Sequence, residues 1–209
     1  MIRTLVIETA TAACSVALVA GDVMVGHAHE VVGRGHAERL VPMIATLPDG
    51  GRAQAILVDV GPGSFTGIRV GIAAARGLAL GWGVPVAGFS SLALVAAAAF
   101  GHDPGCRRLA VLLEGGHGEV FMQSFNAQPF AATSALASLP PAAALAALGG
   151  RRAVGNGVRF LAAIDPMIEA IDALPDARDI TLLPSACRLL PPSPCYGRAP
   201  DAKPMAIAS

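Results

Sequence analysis

The sequence predicts an α/β fold built from two related units, on three observations. Strand and helix patterns alternate as βββαβαβα from residue 3 to residue 99. A strand ending in an acid, a turn and a second strand occur together twice, at residues 5–19 and again at 109–125, as in a duplicated fold. A chain of 209 residues can bury a real core as one compact domain or two small lobes. The division is expected near residue 105, with 1–104 an N-terminal unit and 105–209 a smaller C-terminal one.

The first three strands are expected at 3–8, 14–20 and 23–31, the last two joined by Gly21-Asp22, a residue pair suited to hairpins. A helix follows over 36–47, where Leu40, Met43, Ile44 and Leu47 recur on one face. Next come a strand at 55–60, a glycine-rich turn, a helix at 67–81, a strand at 84–89 and a helix from 91 to 99. Strands at 109–114 and 119–125 start the second unit, followed by a short helix at 141–148 and a strand at 151–154. Beyond Pro175 the chain is rich in proline and shows no clear period.

Fifteen basic and fifteen acidic side chains leave no net charge. A surface that binds RNA by itself carries a clustered basic stripe, and here the basic residues are scattered arginines with one lysine, Lys203. The run 77–101 lacks charge and is long enough for a bilayer, but Gly81, Gly83, Pro85, Gly88 and Ser90-Ser91 break it into soluble pieces. No membrane span or signal peptide is expected. Cys14, Cys106, Cys187 and Cys195 form no CxxC pair, so reduced thiols and a cytoplasmic location are expected. His27 and His29 share one face of a strand, but no histidine pair has helical metal-ligand spacing. The reading is no metal.

The run Gly61-Pro62-Gly63-Ser64-Phe65-Thr66-Gly67-Ile68-Arg69 lies between a strand and a helix, where backbone N–H groups can face an anion. It fails each phosphate motif. A P-loop needs Lys before the helix, and a dinucleotide fingerprint needs glycine at position 66, where Thr66 stands. A nucleophile elbow at Ser64 needs glycine where Pro62 and Thr66 are. Ser64 or Thr66 is therefore expected to cap the helix, with the loop acting as a hinge that sets its angle. In that helix Gly67, Gly71, Ala74, Ala75 and Leu78 fall on adjoining positions, and Gly77 to Gly81 repeats the four-residue spacing. Small residues so spaced let helices approach closely. Packing on the chain's own sheet and docking on a partner both account for them. Glu8 and Glu114 end their strands, where carboxylates could organise a metal and water; the turn after Glu8 has no glycine to admit a phosphate.

These residues resemble the bacterial TsaB (YeaZ) family. The likeness rests on Leu5-Val6-Ile7-Glu8-Thr9 through Leu18, on His36 to Pro42, on Gly61 to Gly71, on Pro85-Val86 with Ser90-Ser91-Leu92, and on Gly118-Glu119-Val120-Phe121. Tyr196-Gly197-Arg198-Ala199-Pro200-Asp201-Ala202-Lys203 is similar to the family's closing motif. The resemblance implies an actin-like ATPase (ribonuclease H-like) fold with two lobes. It also implies a non-catalytic role in making N6-threonylcarbamoyladenosine in tRNA. The implied partners are a TsaD-like transferase subunit, which carries the metal, and a TsaE-like ATPase, with tRNA reached indirectly and a homodimer through the same surface. The implied interface is Leu40, Met43, Ile44, Leu47, Gly67, Gly71, Ala74, Ala75 and Leu78. No cofactor is implied beyond weak nucleotide binding at a shared interface, with Glu8 and Glu114 as a degenerate site. Glu8 and Glu114 stand where the family commonly has Asp. The rival reading is an enzyme, either an ATP-dependent transferase or a peptidase.

Overall fold

The computed structural model describes residues 1–197, so Arg198 to Lys203 of the closing motif lie outside the described residues. The first sheet has the order β3-β2-β1-β4-β5, with β1 Arg3–Glu8, β2 Ala13–Ala20, β3 Val23–Val31, β4 Ala55–Asp59 and β5 Val86–Phe89. β1 to β3 form an antiparallel meander; β4 and β5 run parallel to β1. Helix α1 (His36–Thr46) enters between β3 and β4, α2 (Phe65–Trp82) between β4 and β5, and α3 (Ser91–His102) follows β5. These are the elements that the apolar spacing predicts. The bounds differ most in three places: α2 begins two residues earlier than expected because Ser64 rather than Thr66 is its cap, β5 begins at Val86 rather than 84, and α3 runs on past 99 to His102.

The second sheet repeats the plan. Its order is β11-β10-β6-β7-β8, with β6 Arg108–Glu114, β7 Val120–Ala127, β8 Phe130–Ala132, β10 Arg152–Val154 and β11 Ala170–Ile171. β6 pairs antiparallel with β7 and parallel with β10, as β1 does with β2 and β4. Helices α4 (Pro141–Leu148) and α5 (Val158–Ala162) take the places of α1 and α2. The short strand β9 (Ala137–Leu139) pairs with β7. The duplicated strand–acid–turn–strand device is thus the visible trace of a duplicated sheet.

One face of the first sheet packs Leu5, Ile7, Val16 and Leu18 on α1 and α2, around Leu40, Ile44, Ile68 and Ile72. The opposite face packs Val6, Ala17 and Phe89 on α3, whose other side meets Leu109, Val111 and Leu113 of the second sheet. That helix is buried almost all round, which explains its uncharged sequence. No described helix is long and apolar enough to cross a membrane. From Asp176 the chain returns to the first sheet: Ala177, Ile180 and Leu183 join the α3 core, and Gly88 bridges to Leu190.

Candidate functional site

β1 and β4 are parallel neighbours, so Glu8 and Asp59 lie at the same sheet edge, beside the glycine loop. Strand ends of this kind hold ligands in open α/β sheets. Here the chain fills the place itself. Glu8 and Asp59 are fully buried. Ala10 N–H donates to Glu8 Oε1 at 2.8 Å and the Ser91 hydroxyl to Oε2 at 2.9 Å. Thr9 N–H donates to Asp59 Oδ2 at 2.8 Å, and Thr9 Oγ1 lies 3.0 Å from that oxygen and 2.9 Å from the Gly67 carbonyl.

A hydroxyl has one hydrogen, so Thr9 cannot donate to both acceptors. A protonated Asp59 resolves the conflict by donating to Thr9 Oγ1, which then donates to Gly67. Burial pushes the Asp59 carboxyl up to about 7, although the Thr9 bonds oppose the rise. Burial, and then the charge of Asp59, pushes Glu8 well above the usual carboxylate range. Asp59 Oδ1 makes no hydrogen bond of normal geometry, and the Gly61 N–H only weakly offsets its burial. Two carboxyls sealed together disfavour each other's ionisation, so they hold protons more readily than exposed carboxylates do.

The glycine loop folds onto the β1–β2 turn. A Cβ on Gly63 would lie 2.0 Å from Ala10 O, one on Gly67 2.1 Å from Thr9 O, and one on Gly71 2.3 Å from Thr9 Oγ1. Ser64 N–H donates to Ala10 O at 2.6 Å, and Ser64 Oγ accepts from Gly67 N at 3.2 Å as the N-cap. The loop glycines therefore admit the chain's own backbone where a phosphate would lie. Gly61 is buried at φ +95° and Pro62 is buried, whereas Phe65, Thr66 and Arg69 are exposed. Phe65 stacks on Tyr196, and the Arg69 guanidinium lies over the Phe65 ring and donates to Tyr196 Oη at 2.8 Å.

The implied interface residues divide sharply. Leu40, Met43, Ile44, Leu47, Gly67, Gly71 and Ala75 are buried in the chain's own core, and Ala74 and Leu78 pack partly against it. In the chain by itself the first seven are therefore turned into its own core, while Ala74 and Leu78 keep part of their surface. The outward face of α2 carries Arg69, Ala73, Arg76, Gly77, Leu80 and Gly81 instead, with Leu80 87% exposed. A Cβ on Gly77 or Gly81 would meet nothing within 4 Å. These two glycines have no packing reason inside the chain. The outward face of α1 carries Ala37, Val41 and Ala45.

Glu114 is not the twin of Glu8 in its surroundings. It is exposed and paired with Arg159 at 2.6 Å, so the buried acid beside Glu8 is Asp59 and not Glu114. A cleft of about 470 Å³ opens elsewhere, between α3 and the β10–β11 edge, lined in part by Val95, Ala99, His102 and Ile171, and Asp103 and Glu169 pair with Arg152 at its rim. The histidines also regroup: His27 and His29 of β3 meet Asp176, a contact that the sequence hides behind some 150 residues of chain. Asp59 was missed as well, although its position as the last residue of the strand beside β1 gave the signal. The four cysteines are free thiols.

The family model described as TsaD, tRNA N6-adenosine threonylcarbamoyltransferase, matches residues 24–148, more than half of the chain. The TsaB protein of Escherichia coli is 38% identical over 129 residues, which are 59% of this chain and 55% of that relative; for the Haemophilus influenzae relative the share is 42%. The chain thus spans about half the length of these curated relatives in the matched region. An uncharacterised Mycobacterium bovis protein is 31% identical over 98% of this chain and 96% of its own. The structure titled YeaZ from Pseudomonas aeruginosa has a TM-score of 0.73 at 31% identity, covering 88% of this chain and 90% of that one. The ethanolamine utilization protein EutJ from Carboxydothermus hydrogenoformans, at 12% identity and a TM-score of 0.51, shares the fold alone.

The fold is therefore that of the actin-like ATPase group, with its first strand-end carboxyl sealed inside. Within that group, the chain belongs to the TsaB (YeaZ) family.

Proposed function

We propose that this chain is a non-catalytic subunit that binds and steadies a TsaD-type transferase during formation of N6-threonylcarbamoyladenosine in tRNA. The names of its relatives supply the pathway. The observation that carries the docking role is the outward stripe of α2, where Ala73, Gly77, Leu80 and Gly81 present small or apolar groups and the two glycines face open space. Glycine inside a helix costs ~1 kcal/mol relative to alanine, so two of them without internal contacts favour close approach by another helix. A standard interface buries ~800 Å² per partner, which α2 with the outward face of α1 can centre.

Docking joins the chain to a TsaE-like ATPase and to tRNA indirectly, in the cytoplasm. The same face serves a homodimer when the transferase is absent. The chain divides near residue 104 in this reading, with the docking helices in the first part. Any nucleotide binds weakly at the shared interface and not in the closed strand-end site.

Association with a TsaD-type transferase, measured by calorimetry, tests the role. Gly77→Arg should abolish binding while the chain stays folded, because the position is open. Substitutions at Leu40 or Gly71 would break the core and so say nothing about docking. Retained affinity in a folded Gly77→Arg protein would remove the α2 face from the interface. Micromolar binding of ATP with Mg²⁺ to the isolated chain, lost in Glu8→Gln, would favour the transferase reading instead.

A further inference from the structure

We propose that His27, His29 and Asp176 form a binding site for one divalent transition ion of the zinc class. The two imidazoles lie two residues apart on the edge strand β3, with ring centroids 6.4 Å apart. Asp176, only 6% exposed, sits beneath them as the N-cap of the turn Ala177–Leu182. One donor atom from each residue can be chosen so that all three lie within 4.8 Å of one another. Two imidazole nitrogens with one carboxylate oxygen is a donor set that zinc takes readily, leaving a fourth position for water.

The second observation is a mismatch in the hydrogen bonding. His27 Nε2 bonds Asp176 Oδ1 at 2.6 Å, a normal charge-assisted contact. His29 Nδ1 is buried and lies 3.1 Å from Asp176 Oδ2, yet makes no hydrogen bond of normal geometry. A buried nitrogen that lies beside an oxygen without a hydrogen bond is left free to serve as a ligand to an ion. A tetrahedral ion with bonds of ~2.1 Å holds its ligands ~3.4 Å apart. The His29 Nδ1–Asp176 Oδ2 spacing is already close to that value; the His27 contact, made to Oδ1, has to open by less than ~1 Å, and the carboxylate has to turn one oxygen to both rings.

The surroundings are those of a supported ligand. Arg178 donates to Asp176 from Nε to Oδ2 at 2.7 Å and from its backbone N–H to Oδ1 at 3.0 Å, fixing the carboxylate plane. Ligating carboxylates are commonly held by such outer bonds. The guanidinium also lowers the negative charge, which moderates affinity and favours an ion bound by nitrogen over magnesium or calcium. The ion would tie β3 to the segment that returns from the second sheet, closing a loop of almost 150 residues. This site is independent of the docking role.

The test uses the metal-free full-length chain and Co²⁺, then Zn²⁺. One equivalent of Co²⁺ should bind with the visible bands of a four- or five-coordinate nitrogen and oxygen site, and Zn²⁺ should displace it. At a hundredfold excess over Kd, Zn²⁺ should raise Tm by about 5–10 °C. His27→Gln and His29→Gln, both partly exposed, should each weaken binding tenfold or more. Circular dichroism without metal checks that the variants fold. The proposal fails if wild-type protein shows no saturable binding below millimolar Co²⁺, or shows thiolate charge-transfer bands that place the ion on cysteine. It also fails if folded variants bind as wild type does.

Discussion

Gly77→Ala separates the two roles that glycine can have in α2. The residue lies inside an 18-residue helix, exposed, and a Cβ there would meet no atom within 4 Å. Nothing is lost inside the chain, while the helix gains the propensity difference, ~1 kcal/mol. For a chain of this size that corresponds to about 2–4 °C in Tm. On the docking face the same methyl group stands between two helix axes, and overpacking of a fitted contact costs ~1–3 kcal/mol. Association with a TsaD-type transferase should therefore weaken by roughly 5- to 150-fold. The variant should be more stable and bind less tightly, two effects of opposite sign from one atom. Differential scanning calorimetry and titration calorimetry on the same preparation read both. Lower stability would refute the open-space geometry at residue 77, and unchanged affinity would refute its place in the interface.

Gly71→Ala should behave in the opposite way, losing about 1–3 kcal/mol or more in chemical denaturation, because its Cβ would fall 2.3 Å from Thr9 Oγ1. Leu40→Ala should cost ~2–5 kcal/mol, since the side chain is buried among the strands and not offered to a partner. Ser64→Ala should cost about 1 kcal/mol as a lost N-cap, with no effect on any reaction of the complex. For Asp59 the sign follows from its raised value. A folded-state carboxyl at about 7 against 3.8 unfolded favours folding most below the unfolded value, and that advantage is lost as pH rises toward 7. The wild type should thus lose on the order of a few kcal/mol between pH 4 and 8 from this group. In Asp59→Asn urea midpoints should fall less over that interval, and parallel curves for the two proteins would count against the buried acid.

The first sheet was legible because its strands and helices each bury one regular face. Leu5 and Ile7 alternate with Val6 in β1, and Leu40, Met43, Ile44 and Leu47 recur at helical spacing. The small strands β8, β9 and β11 were not legible, since two or three residues carry no period. The same apolar spacing that located α1 also supplied most of the expected interface residues. Periodicity marks the face a helix buries, and that face went to the chain's own sheet. Gly77 and Gly81 were visible as a four-residue step, but only coordinates separate them from Gly67 and Gly71, which admit Thr9. Asp59 is read as a strand residue until β4 is placed beside β1. The His27–Asp176 contact spans 149 positions and follows from no local pattern.

Hydroxyl-radical footprinting of the chain with and without a TsaD-type transferase tests the central claim most directly. Leu80, 87% exposed on α2, reports the docking face, and Met167, 89% exposed beyond α5, serves as the internal control. Saturating transferase should cut Leu80 oxidation several-fold and leave Met167 unchanged. Full reactivity of Leu80 in a saturated complex would contradict the assignment of this helix as the docking surface.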